Sequence, residues 1–362
     1  MATMKKIISN SEKRKSYLTY LVVIAAYVIM QVLSSAGLLS SSMKSQLVPI
    51  CVYVVLAVSL NLVVGISGEL SLGHAGFMGV GAFTGAVVAG ILQTGVENPM
   101  LRLLFIILAG GLMAGIAGFL IGMPVMRLRG DYLAIVTLAF GEILKNIIGQ
   151  LYVGLDSKGL HFAMIDSDKV QLAEGGKMLV DGAMGATGIT KLANFSAGIL
   201  LVLFTLFVVL NLVDSKEGRA IKAIRDNRIA AESVGLNVTA VRMKAFVVSA
   251  FLAGMAGALY AMNYSTVAVS KFGFNTSINI LVYVVMGGMG NILGSVISAT
   301  LLYVLPESMD FLEDYRMILY AVVLIVLMLC TWSPAVKGTI QRIKASLADR
   351  LAKNKKEAGN NG

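Results

Sequence analysis

Runs of about 18 to 25 apolar residues recur along almost the whole chain, for example at 17–33, 103–126 and 197–213. A helix of that length crosses the roughly 30 Å hydrocarbon core of a bilayer, and a transmembrane barrel would instead need alternating segments of about ten residues. These runs do not alternate. With 57% hydrophobic and only 14% charged residues, the chain has too little polar surface for a water-soluble globule of this size. The fold class that follows is an all-α, polytopic transmembrane helical bundle.

The formal net charge of +10 does not point to nucleic acid, because the basic residues sit at the ends of apolar runs. Lys5, Lys6, Lys13, Arg14 and Lys15 precede the first run, Arg127 and Arg129 follow the fourth, and a further cluster extends from Lys337 to Lys356. That is the positive-inside pattern. The remaining basic residues, Lys216, Arg219, Lys222, Arg225, Arg228, Arg242 and Lys244, fill one polar stretch between two apolar runs. The amino terminus carries the outline of a signal peptide, but the run is long and more runs follow, so an uncleaved first span is expected.

Taken in order, spans are expected near 17–38, 46–64, 65–90, 103–125, 132–151, 196–213 and 245–263. The third is dense in glycine, which lets helices approach closely and places it inside the bundle. Residues 278–305 form one run by length, but charge parity requires two short helices broken at 286–290. The acidic residues Glu307, Asp310, Glu313 and Asp314 then fall outside the cell. The count is about ten membrane segments with broken glycine-rich helices and both termini cytoplasmic. The domain boundaries are a cytoplasmic tail at 1–16, a transmembrane domain at 17–336 with an external loop at 154–195 and a cytoplasmic element at 214–244, and a basic cytoplasmic tail at 337–362.

No catalytic set is evident. His74 and His161 belong to no metal-ligand spacing, Cys51 and Cys330 lie in apolar runs, and Gly175, Gly176 and Lys177 lack the spacing of a phosphate loop. Gly182, Gly185 and Gly188 have no preceding strand pattern and read as a turn. No cofactor, metal or ATP site is expected. Polar residues within spans are the better candidates, since leaving them without partners in hydrocarbon costs several kcal/mol. Asn61, Ser67, Glu69, Ser71, His74 and Thr84 cluster around the first glycine turn and, with Asn291, are candidates for a solute path. The competing reading is that they bond to neighbouring helices and hold the bundle together. Glu142 and Lys145, three apart, are expected to form a structural ion pair.

A faint echo links VVGISGELSLG at 63–73 with VVMGGMGNILG at 284–294. A duplication with the solute path between the repeats and the chance similarity of glycine-rich apolar sequence both account for it.

The polar stretch reads as two short amphipathic helices. Ala220, Ile221, Ala223 and Ile224 give one apolar face and Ile229, Ala230, Ala231 and Val234 a second, with Asp226 and Asn227 as cap residues and Gly235 as a stop. A helix pair lying on the membrane surface is the alternative. The small contact residues, with no Trp or Phe to anchor in lipid, favour a protein groove.

Four blocks carry a family resemblance: LNLVVGISGELSLGHAGFMGVGAF at 60–83, RLRGDYLAIVTLAFGEI at 127–143, EGRAIKAIRDNRIAAESVGLNV at 217–238 and AFVVSAFLAGMAGALYA at 245–261. With VVMGGMGNILG they resemble the permease subunits of branched-chain amino-acid ABC importers, the LivM-like group. The resemblance implies a permease of a bacterial-type inner cell membrane. It would work with a second homologous permease subunit, two cytoplasmic ATP-binding subunits and an extracytoplasmic solute-binding protein. The segment at 217–237 resembles the family's coupling element seated on an ATPase, with Arg219, Arg225 and Glu232 at matching positions; Lys222, Asp226, Asn227 and Gly235 of the same helix pair complete the candidate coupling set. Ala183 to Ile189 keeps only part of the family's external TGG-and-GL motif, and related permeases import urea and short amides. An ion-coupled secondary transporter is the alternative, with Glu69, Glu142 and His74 as its candidate ion sites.

Overall fold

A computed structural model describes residues 2–37, 40–93, 95–128, 130–156, 159–164 and 176–307, together with positions 322 and 325. The helices are α1 (Ala2–Ser35), α2 (Ser41–Asn61), α3 (His74–Leu92), α4 (Pro99–Val125), α5 (Asp131–Gly149), α6 (Phe195–Asp214), α7 (Lys216–Asp226), α8 (Arg228–Ser233), α9 (Val238–Ala261), α10 (Phe274–Gly287) and α11 (Ile292–Glu307). Seven helices among the described residues are long and apolar enough to cross a membrane, and Phe274–Gly287 and Ile292–Leu305 are shorter apolar helices. These match nine expected segments, including the break within the run at 278–305. The tenth segment, the acidic loop beyond Glu307, Cys330 and the basic tail lie outside the described residues.

The all-α expectation needs one correction. Between α5 and α6 the chain forms β1 (Leu151–Asp156), β2 (Gly159–Met164), β3 (Lys177–Asp181) and β4 (Gly185–Ala186), an antiparallel sheet in the order β2-β1-β3-β4. The strands are too short, and too mixed with charge, to show a clear alternation in sequence. The stretch from Gly182 to Gly188 is a 3-10 turn (Gly182–Met184) followed by β4. Ala186 pairs with Val267, just beyond α9, and a side chain on Gly185 would put its Cβ 2.1 Å from the Val267 carbonyl oxygen, so the sheet is pinned to the bundle.

At the centre stands α9, packed on α2, α3 and α4. Backbones touch where glycines face each other: a Cβ on Gly81 of α3 would lie 2.0 Å from the Gly254 carbonyl oxygen of α9. The glycine-dense third span is therefore internal. Contacts divide the chain into Met1–Tyr303 and Val304–Gly362, and the sheet, both helix breaks and the polar stretch belong to the first unit, the boundary falling within the last turn of α11.

Candidate functional site

At its lower end α2 loosens into a π-helical turn, Leu62–Ile66, closed by the Ser67 N–H on the Leu62 carbonyl at 3.1 Å. An extended segment then leads to α3 at His74. Irregular backbone within a bundle needs its polar groups satisfied by protein. Here the Leu72 N–H donates to Thr137 Oγ1 of α5 and the Ala75 N–H to Ser277 Oγ of α10, both at 3.1 Å. His74 is buried against Ser59, whose Oγ lies 2.8 Å from its Nε2. The Ser59 hydroxyl proton is given to the Leu56 carbonyl at 3.0 Å, so the imidazole N–H is the donor toward Ser59.

A second break separates α10 from α11, where Gly288 (φ +88°) and Gly290 (φ +83°) turn the chain within four residues. The two breaks touch. The Gly290 N–H donates to Asn61 Oδ1 at 2.8 Å, and Asn61 Nδ2 donates to Ser295 Oγ of α11 at 2.9 Å. The two segments paired by the sequence echo are thus neighbours in space, joined through one fully buried carboxamide.

Arg225, in the last turn of α7, reaches this junction. Its Nη1 donates to the Gly65 carbonyl at 3.0 Å while Nε and Nη2 hold Asp226 Oδ1 at 3.3 and 3.2 Å. A Cβ on Gly68 would sit 2.6 Å from Arg225 Cγ, so only glycine leaves room for the arm. Beside it Glu69 pairs with Arg242, a 3% exposed residue of α9 whose Nη1 also donates to the Met126 carbonyl at the end of α4, at 3.2 Å. Arg242 is a functional-site residue that the sequence does not reveal, because by pattern alone it is one more positive charge flanking a span.

Of the expected path residues, Asn61, Ser67, Glu69, Ser71 and His74 gather at the first break and Asn291 lies exposed at the second. Thr84 stands ten residues along α3, about 15 Å away, and does not join them. Ser71 Oγ is buried without a hydrogen-bond partner among the described residues.

The polar stretch forms the expected helix pair. Ser215 Oγ accepts from the Gly218 N–H at 3.2 Å, Asn227 Oδ1 accepts from the Ala230 N–H at 3.1 Å to cap α8, and Gly235 ends α8 at φ +84°. Asp226 serves Arg225 in place of a cap. Glu217 and Lys244, 2.6 Å apart, tie α7 to α9; Arg219 donates to the Asp214 carbonyl at 3.2 Å, and Arg228 pairs with Glu232 at 2.9 Å. The two apolar faces differ: Ile221 and Ile224 are buried, whereas Ile229 is 81% and Val234 76% exposed. Lys222 is half-buried on α7.

Residues 42–330 match the family described as branched-chain amino acid transport system / permease component. The chain belongs to this family. Among curated relatives of this permease family, the high-affinity branched-chain amino acid transport system permease protein LivM of Salmonella typhimurium is 34% identical over 337 residues, 90% of this chain and 75% of that one. LivM of Escherichia coli is 34% identical over 313 residues, 83% and 71% of the two chains. The ribose import permease protein RbsC of Haemophilus influenzae is 26% identical over 286 residues, 76% and 80%. The chain is thus a multi-pass membrane permease component, and the junction of the two breaks, Arg225 and the α7–α8 pair lies entirely within the matched region.

Proposed function

We propose that this permease component is a subunit of an ABC importer, forming the translocation path for branched-chain amino acids or a related small amino acid or amide. Partner subunits supply the energy by hydrolysing ATP. The reading places the protein in the inner cell membrane with both termini and residues 214–244 in the cytoplasm and residues 154–195 outside. Its partners are a second homologous permease, two ATP-binding subunits and an extracytoplasmic solute-binding protein.

The single observation that supports the mechanism is the arm of Arg225. The exposed face of α8, with Ile229 and Val234 outward, suits the groove of an ATP-binding subunit. Motion of that helix pair is carried by α7 and the Arg225 guanidinium to the Gly65 carbonyl, at the contact between the two broken helices. Alternating access follows if ATP binding shifts the population between two packings of these breaks.

The test is uptake of L-leucine into proteoliposomes holding the assembled complex. ATP-dependent uptake is expected in the wild type, whereas Arg225→Gln should retain ATPase association but lose most of its uptake per ATP hydrolysed. Uptake driven by a proton gradient without ATP would overturn the reading. An ion-coupled carrier would also need a titratable group able to load and release an ion, yet at the two breaks Glu69 is paired with Arg242 and His74 is bonded to Ser59.

A further inference from the structure

At the opposite end of α5 from its start beside α4, Glu142 and Lys145 form an ion pair, and Glu142 Oε1 also accepts the Phe274 N–H at 2.8 Å. The carboxylate therefore caps the first turn of α10 and joins two helices into one surface. Gly273 keeps the join close: a Cβ there would lie 3.4 Å from both Glu142 Oε1 and Lys145 Nζ. The side chains around the pair are unusual for apolar helices. Asn146, one helical turn from Glu142, is exposed, and so are Asn275 and Asn279, one turn apart on α10. None of the three carboxamides has a hydrogen-bond partner among the described residues. Phe274, 40% exposed, stands next to them.

Lipid does not suit this face, because carboxamides facing hydrocarbon cost free energy that nothing here offsets. What suits it is a small molecule carrying both charges and an apolar tail. Lys145 has three donors and gives one to Glu142, so two remain for a carboxylate; Glu142 has lone pairs left for an ammonium. The carboxamides serve either end, and the Phe274 ring covers an aliphatic side chain.

We infer that the face built by Glu142, Lys145, Asn146, Phe274, Asn275 and Asn279 is the external mouth of the path, where the zwitterionic head of an amino acid first binds the permease. The inference rests on the importer reading above and adds the residues that receive the solute.

The test uses the assembled complex in proteoliposomes, with Cys51 and Cys330 replaced by alanine and Asn279→Cys introduced. A membrane-impermeant anionic methanethiosulfonate added on the binding-protein side is expected to modify this cysteine, and L-leucine should slow modification several-fold. Lys145→Gln should raise the apparent KM for L-leucine about ten-fold or more, the loss of one charge-assisted contact, with Lys145→Arg recovering most of it. An unreactive cysteine means a face packed on lipid or on the second permease, and overturns the inference. So does modification indifferent to L-leucine, or a KM unchanged by Lys145→Gln, which reduces the pair to a structural brace. Failure of the parent complex to import L-leucine with ATP overturns the importer reading itself, and is seen before any variant is made.

Discussion

The two breaks in the membrane helices share a sequence pattern but are held by different means. At the first, between α2 and α3, hydroxyls from α5 and α10 take up backbone N–H groups, and the Glu69–Arg242 pair fastens the segment to α9. At the second, between α10 and α11, two left-handed glycines make the turn, and Asn61 supplies its link to α2. Gly68 is left-handed too, but the first break is fastened chiefly by side chains from α5, α9 and α10. The second is closed within its own hairpin, by its glycines and the Ser298–Tyr283 bond, and is linked to α2 by one carboxamide. A joint between a braced element and a simple hinge moves at the hinge, so displacement of Arg225 against Gly65 should be taken up mainly at Gly288 and Gly290.

The largest expected effect tests the brace. Glu69→Ala leaves the Arg242 guanidinium buried without its counter-charge, and should cost about 3 to 5 kcal/mol, seen as a large fall in Tm of the purified complex. Replacing both residues by methionine should recover much of that loss; a double variant as unstable as the single would break the account of the first break. Next comes the contact itself. In Gly65→Ala the new Cβ would lie 2.2 Å from the Gly290 nitrogen, a backbone atom, and the overpacking should cost about 1 to 3 kcal/mol and abolish uptake.

Gly288→Ala sharpens the contrast, because the nearest atom to its Cβ is Asn291 Cβ at 3.8 Å and only the positive φ is penalised. A cost of about 1 to 2 kcal/mol is expected, with near-normal assembly and impaired uptake. If Gly288→Ala transports normally, the hinge is not at the second break. The smallest effect belongs to Asn227→Ala, which removes the cap of α8 and should cost about 1 kcal/mol, read as a small Tm shift, with Asn227→Asp restoring it.

Much of this arrangement was legible in the sequence because it depends on local rules. Run length gave the spans, Asn227 and Gly235 gave the helix pair, and charge parity gave the break between α10 and α11. The Glu142–Lys145 pair followed from helical spacing. What remained hidden depends on partners far apart in the chain. Arg242 is a flanking charge in sequence and a buried counter-ion in space. Thr137, Ser277 and Ser295 carry no signal of the groups they satisfy, since a hydroxyl in an apolar helix serves equally well in its own turn. Arg225 lies on a polar stretch whose pattern suits a partner contact, and nothing in that pattern signals the bond its guanidinium also makes to Gly65. The sheet escaped notice because its short strands mix charges with apolar residues.

The shortness of α10 also bears on how the protein is made. Fourteen residues rise about 21 Å, too little to cross the hydrocarbon alone, so α10 and α11 are expected to enter the membrane together as a hairpin. The receptor for its tip, Asn61, is synthesised 229 residues before Gly290. Its carboxamide waits in the nascent bundle through the translation of seven intervening helices, a polar group that keeps the chain unfinished until the hairpin arrives.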